Sequence, residues 1–163
     1  MDDFLVHEQG VTGAATHALV VGVGAYPHLV GGGQHLTTDN EGMGQLTSPQ
    51  ASARAFARWQ FKMRYLPKPL ASLALLLSEE SKQSFSNPCT GVEHPIASAT
   101  FEHVRDAVKA WKDRGDQGGC NSENRLIFFF SGHGICQGPD MALLLEDFGS
   151  DDDHSGSPAA AMR

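Results

Sequence analysis

The chain has 163 residues, 40% of them apolar, and a net charge of −7. That length fits one domain, the apolar fraction suits a buried core, and no stretch reads as a bilayer span. An acidic chain with scattered Lys and Arg is poorly suited to neutralising phosphates, so neither nucleic acid nor membrane is an expected partner.

The N-terminus, Met1-Asp2-Asp3-Phe4, lacks the basic-then-apolar pattern of a signal peptide. Three cysteines, Cys89, Cys120 and Cys136, form no CxxC pair. An odd, sparse set argues against a disulfide framework and for a reducing cytoplasm. Cys89, His94, His103 and Cys120 follow no zinc spacing, so neither a metal nor another cofactor is expected.

Residues 1–16 read as a leader without clear period. The run from His17 to Gly24 is apolar and β-branched, the pattern of a buried strand, and Tyr26-Pro27 then signals a turn. Residues 31–46 are glycine-rich and polar, a long surface loop. Ser48-Pro49 opens a first helix, with Ser48 as N-cap and an apolar face of Ala51, Ala55, Phe56, Trp59 and Met63. Pro67 and Pro69 end it, and Ser72 to Leu77 is a second strand.

Residues 79–97 read as a polar excursion without a core of its own. Ser98 or Thr100 caps a second helix whose stripe is Phe101, Val104, Val108 and Trp111. The run Leu126 to Phe130 reads as a strand buried on both faces, and Met141 to Leu145 as a short apolar strand. The tail, residues 150–163, is expected to be disordered. Strands alternating with helices imply parallel pairing through right-handed crossovers. The sheet order is then second, first, third strand, with the helices on opposite faces. The loop after the first strand and the turn after the third would meet at one crevice.

That third strand ends in Ser131-Gly132-His133-Gly134. In open α/β sheets, chemistry gathers at the C-terminal ends of strands. A histidine placed there suits general acid–base work, since an imidazole titrates near neutrality. The Gly134 amide could donate to an oxyanion at the same spot. The bland alternative is a loop histidine after a core strand. Ser131 and Cys136 are the nearest nucleophiles, and neither has a G-x-S-x-G context. Gly22-Val23-Gly24 fails as a dinucleotide fingerprint because position 27 is Pro, and no Gly-Lys-Ser/Thr occurs.

These residues in this order resemble the caspase-like cysteine peptidases (caspases, metacaspases and paracaspases), most closely their bacterial members. The likeness covers roughly residues 17 to 149 and is most specific at Ser131-Gly132-His133-Gly134, the strand Met141–Leu145 and Asp147. It implies a caspase-like three-layer α/β sandwich with a mostly parallel sheet. It also implies peptide-bond hydrolysis through a thiolate, with His133 as base and then acid and Gly134 in the oxyanion hole.

The family's nucleophile is a cysteine at the end of the next core strand, in an Asp-x-Cys or Ala-Cys block. No such block follows Asp147. The domain, residues 17–149, is therefore expected to be a front half, incomplete toward its C-terminus and inactive alone. Cys136 is the remaining candidate nucleophile. Family members that cut after Asp use an arginine shortly after the first strand, and residues 25–46 contain none. Asp39 and Glu41 are candidates to receive a basic substrate side chain, or simply acids of a solvated loop. The expected partners are a peptide or protein substrate and, through the open edge of Leu126–Phe130, a second copy or a full-length relative. A non-catalytic interaction module is the alternative reading.

Overall fold

The computed structural model describes residues 3–35, 42–62, 67–81, 84–116, 123–137 and 139–150, and the backbone of 161–162. Among the described residues, nine strands and two helices occur in the order β1 (Leu5–Glu8), β2 (Thr16–Val23), α1 (Pro49–Lys62), β3 (Leu70–Ser78), β4 (Phe85–Ser86), β5 (Glu93–His94), α2 (Phe101–Asp116), β6 (Arg125–Ser131), β7 (Gly134–Gln137), β8 (Asp140–Leu144) and β9 (Ala161–Met162). The fold is mixed α/β. A central sheet runs β1-β3-β2-β6, with β2 parallel to both β3 and β6 and β1 antiparallel to β3.

The order of the three parallel strands is the one expected from the sequence. Strand β2 is buried along its whole length, and its side chains alternate between two cores. Ala18 and Val20 pack with Ala53, Ala57 and Phe61 of α1, whereas Leu19 and Val21 pack with Val104 and Ala107 of α2. The helices therefore cover opposite faces. Among the described residues no helix is long and apolar enough to cross a membrane.

The buried face of α1 is not the one the large side chains mark. Pro49, Ala53, Ala57, Gln60 and Phe61 are buried, whereas Ala51 and Ala55 are exposed and Trp59 keeps 45% of its surface. The cause is the close approach of helix to sheet. A Cβ on Gly22 would lie 2.7 Å from the Ala53 Cβ and 2.9 Å from the Pro49 carbonyl oxygen. Only small residues fit that contact, so Phe56 and Trp59 are displaced toward the flank. Phe56 there stacks on Phe129 of β6 with centroids 4.3 Å apart. In α2, Phe101, Val108 and Trp111 of the expected stripe are half-buried beside the fully buried Val104 and Ala107.

Three segments depart from the sequence reading. The leader contains β1, whose Leu5 and Val6 join the cores; it pairs with β3, so the first domain element lies within residues 1–16. The excursion 79–97 forms the β4–β5 hairpin and buries Phe85 completely against the α1 core, so it shares the main core. Strand β6 is half-buried rather than buried on both faces, with Leu126 and Phe128 exposed, because among the described residues no strand lies on its outer side. Beyond it, β7 and β8 form a hairpin. Of the tail, the backbone of Ala161–Met162 pairs with β8, while residues 151–160 and 163 lie outside the described set.

Candidate functional site

His133 lies two residues beyond the end of β6, at the C-terminal edge of the parallel strands, as expected. Strand β2 ends beside it, since Gly22 pairs with Ser131, and the segment that follows β2 returns over the same end. The crevice between first and third strand is thus occupied by Tyr26 and by residues 43–46.

Three contacts hold the amide and the ring of His133. Its backbone N–H donates to the Tyr26 hydroxyl at 2.8 Å. Its ring lies 5.0 Å from the Tyr26 ring, centroid to centroid. Its Nε2 lies 2.7 Å from the carbonyl oxygen of Gly44. A carbonyl only accepts, so Nε2 carries the proton in this bond and Nδ1 is left with the lone pair.

Tyr26 is fully buried, and its hydroxyl in turn donates to the Leu144 carbonyl at 3.3 Å. Burial pushes the phenol up to about 12, against the opposing effect of the His133 N–H. The hydroxyl therefore stays protonated and bridges His133 to β8 at any ordinary pH.

The glycines flanking His133 serve packing rather than a sharp turn, for neither has a positive φ. A Cβ on Gly132 would sit 2.8 Å from the Tyr26 hydroxyl oxygen, so glycine is needed for that oxygen to reach the chain. Gly134 opens β7 and faces Leu143. The Leu144 N–H bonds the His133 carbonyl at 3.0 Å, which makes Gly134 and Leu143 a pair without direct hydrogen bonds. The Gly134 amide is thereby directed away from β8.

The other candidates fare differently. Cys136 lies within strand β7, not in a loop: it pairs with Met141, is exposed, and makes no hydrogen bond with His133. It points opposite to Ile135, which packs on the core. Ser131 shares the α1 face with Phe129 by strand alternation. Asp39, Glu41 and Cys120 lie outside the described residues. Among the described residues no three His, Cys, Asp or Glu side chains converge as metal ligands would.

A second polar group lines the opposite end of the sheet. His17 Nδ1 lies 2.8 Å from Ser72 Oγ beneath the Arg114–Glu8 ion pair, in an open cleft of about 470 Å³. His17 and Ser72 are both buried strand residues bonded to one another, the usual state of a satisfied core histidine.

No family model matches the sequence, and no solved structure matches the chain. A relative from Sinorhizobium fredii, "Uncharacterized protein y4kE", is 32% identical over 84 residues, which is 52% of this chain and 22% of the relative. The chain thus spans less than a quarter of that relative's length.

Sequence reasoning missed Gly44, Gln45 and the hydroxyl of Tyr26. Tyr26-Pro27 was legible as a turn, but nothing in the pattern marks a phenol that reaches a backbone amide 107 positions away.

Proposed function

We propose that this chain is a caspase-like cysteine peptidase domain that supplies the general base and an oxyanion donor, while the thiol comes from a polypeptide strand added at the open edge of β6. The observation that carries this reading is the bond from His133 Nε2 to the Gly44 carbonyl. It orients the ring and leaves Nδ1 as a lone-pair nitrogen at the end of the parallel strands.

In that role Nδ1 takes the proton of the incoming thiol, and the thiolate attacks the scissile carbonyl. The developing oxyanion is met by the Gly134 amide. The imidazolium then gives its proton to the departing amine, and a water deprotonated by the same ring hydrolyses the thioester. Neither described cysteine serves as nucleophile: Cys89 is exposed in a turn after β4, and Cys136 points away on β7.

The test is complementation. The isolated chain should not cleave Arg, Lys or Asp peptides, and adding a polypeptide that carries a strand and an Asp-x-Cys block should produce turnover that His133→Ala abolishes. Turnover by the isolated chain, lost in Cys136→Ala, would overturn it.

A second reading is a non-catalytic interaction module. It is favoured by the 42% and 40% exposure of Leu126 and Phe128 along the same edge. Binding without turnover in the complementation assay would select it.

A further inference from the structure

We infer that Gln45 is a positioning residue that fixes the tautomer of His133 without touching its ring. The ring bond of His133 ends on the carbonyl of Gly44, and a glycine carbonyl in a loop has no position of its own. What holds it is the backbone bridge to Val30 together with the next side chain. Gln45 turns back across the loop: its Oε1 accepts the Tyr26 N–H at 2.8 Å, and its Nε2 donates to the Tyr26 carbonyl at 2.8 Å and to the Val30 carbonyl at 3.1 Å.

One side-chain amide thus pairs with both backbone groups of Tyr26, as a neighbouring strand would. Backbone bonds from Val30 N–H to Met43 and from Leu46 N–H to Gly24 run alongside, and Val30 and Gly44 form a parallel bridge. Tyr26 itself holds the His133 amide through its hydroxyl. Gln45 therefore stands behind the ring bond and the amide bond of His133, through the Gly44 carbonyl on one side and Tyr26 on the other.

The chemistry is specific to glutamine. The site uses one acceptor and two donors on a neutral group at the end of a two-carbon arm. Glutamate keeps the acceptor and loses the donors, and asparagine is one carbon short. With the amide removed, the Gly44 carbonyl loses its fixed place. Nε2 then loses the acceptor that selects its protonated form, and the two neutral tautomers become comparable.

The functional meaning of this positioning rests on the proposed role of His133, but the test reads the imidazole alone. The ring nitrogens of His133 are observed by NMR in the ¹⁵N-labelled full chain, assigned by their loss in His133→Gln, at alkaline pH where imidazoles are neutral. The wild type should show one form, protonated at Nε2. Gln45→Met keeps the arm's bulk and should give a mixture of both forms. Gln9→Met, which removes a side-chain bond to the Leu70 carbonyl at the far side of the sheet, should leave the single form intact.

Should Gln45→Met fail to fold, Gln45→Glu decides by the same reading and should also give a mixture. A mixture in the wild type overturns the inference, as does a single Nε2–H form in the folded Gln45 variants. Loss of the fold in both variants overturns it too, since Gln45 would then be a residue of the fold and not of the site. Failure of the complementation assay would count against the peptidase reading and leave this result standing.

Discussion

Asp147 is bonded to the first residue of α2: the Phe101 N–H donates to its Oδ1 at 3.0 Å and its Oδ2 at 3.1 Å. Helix N-termini leave their first amides unpaired and carry partial positive charge. Thr100 meets the His103 amide with its hydroxyl at 3.4 Å, and Asp147 meets the Phe101 amide from the segment after β8. The cap thus also ties that segment to the helix. Asp147→Ala should lower unfolding free energy by about 1 kcal/mol, within the range for lost caps, and Asp147→Asn by less. Urea unfolding followed by circular dichroism gives the difference.

Gly22→Ala should destabilise the fold. The added Cβ would meet Ala53, Leu77 and the Pro49 carbonyl, all within 2.9 Å, and two of those contacts belong to α1. Overpacking of this kind costs about 1–3 kcal/mol. Gly33→Ala, where a Cβ would meet nothing within 4 Å, is the control. Thermal melts of both variants decide it.

Stability should fall with acidification below pH 6.5. Burial first, then the Arg114 guanidinium, lowers His17 from its ordinary 6.5, with Glu8 acting the other way. Burial likewise lowers His7 from 6.5, opposed by its bond to Leu70 and by Glu8 and reinforced by His94. The unfolded chain then binds protons more readily than the folded one. The contribution from keeping these imidazoles neutral is full above 6.5, declines as pH drops through 6.5, and levels off below the folded values. Denaturation at a series of pH values down to about 5, above the range where most carboxylates titrate, should show a flatter curve for the His7→Asn, His17→Asn double variant.

Cys136 should react with alkylating reagents at a rate similar to Cys89, since both are exposed and neither is hydrogen-bonded to a histidine. His133→Ala should leave the Cys136 rate unchanged. A large rate difference abolished by that substitution would establish a thiolate–imidazole pair.

The chain should self-associate with rising concentration. Leu126 and Phe128 are exposed on a strand with no outer neighbour among the described residues. Fully burying such a side chain is worth roughly 1.5–3 kcal/mol, and unpaired edge groups are a template for strand addition. Sedimentation of the wild type should show association that Leu126→Lys with Phe128→Lys reduces.

What the sequence made legible were the elements that carry their own pattern. The runs in β2, β3 and β6 are apolar enough to be read locally, and crossover handedness then ordered them. Pro49 marked the start of α1. The strand β1 was not legible, because four residues acquire strand geometry only through β3, about seventy positions later. The buried face of α1 misread for a related reason. Phe56 and Trp59 outweigh Ala53 and Ala57 in any apolar pattern, yet the contact at Gly22 admits only the small residues. At the site, His133 stood out by its strand and glycines. Gln45 carried no mark, since a polar loop residue reveals its partners only when the loop is closed.

The central strand β2 is made early and completed late. The Ala15 amide that leads into it bonds the Asn124 side chain, at the start of β6, across 109 positions. During synthesis at about 5–20 residues per second, β2 waits roughly 5–20 s for its second neighbour. In the later half of that interval, once β3 has been made, an apolar parallel edge is open while β1, α1 and β3 are available to fold. A ribosome that pauses before β6 would hold a nascent chain suited to capture by a holdase chaperone, and codon choice between α2 and β6 would set how long that exposure lasts.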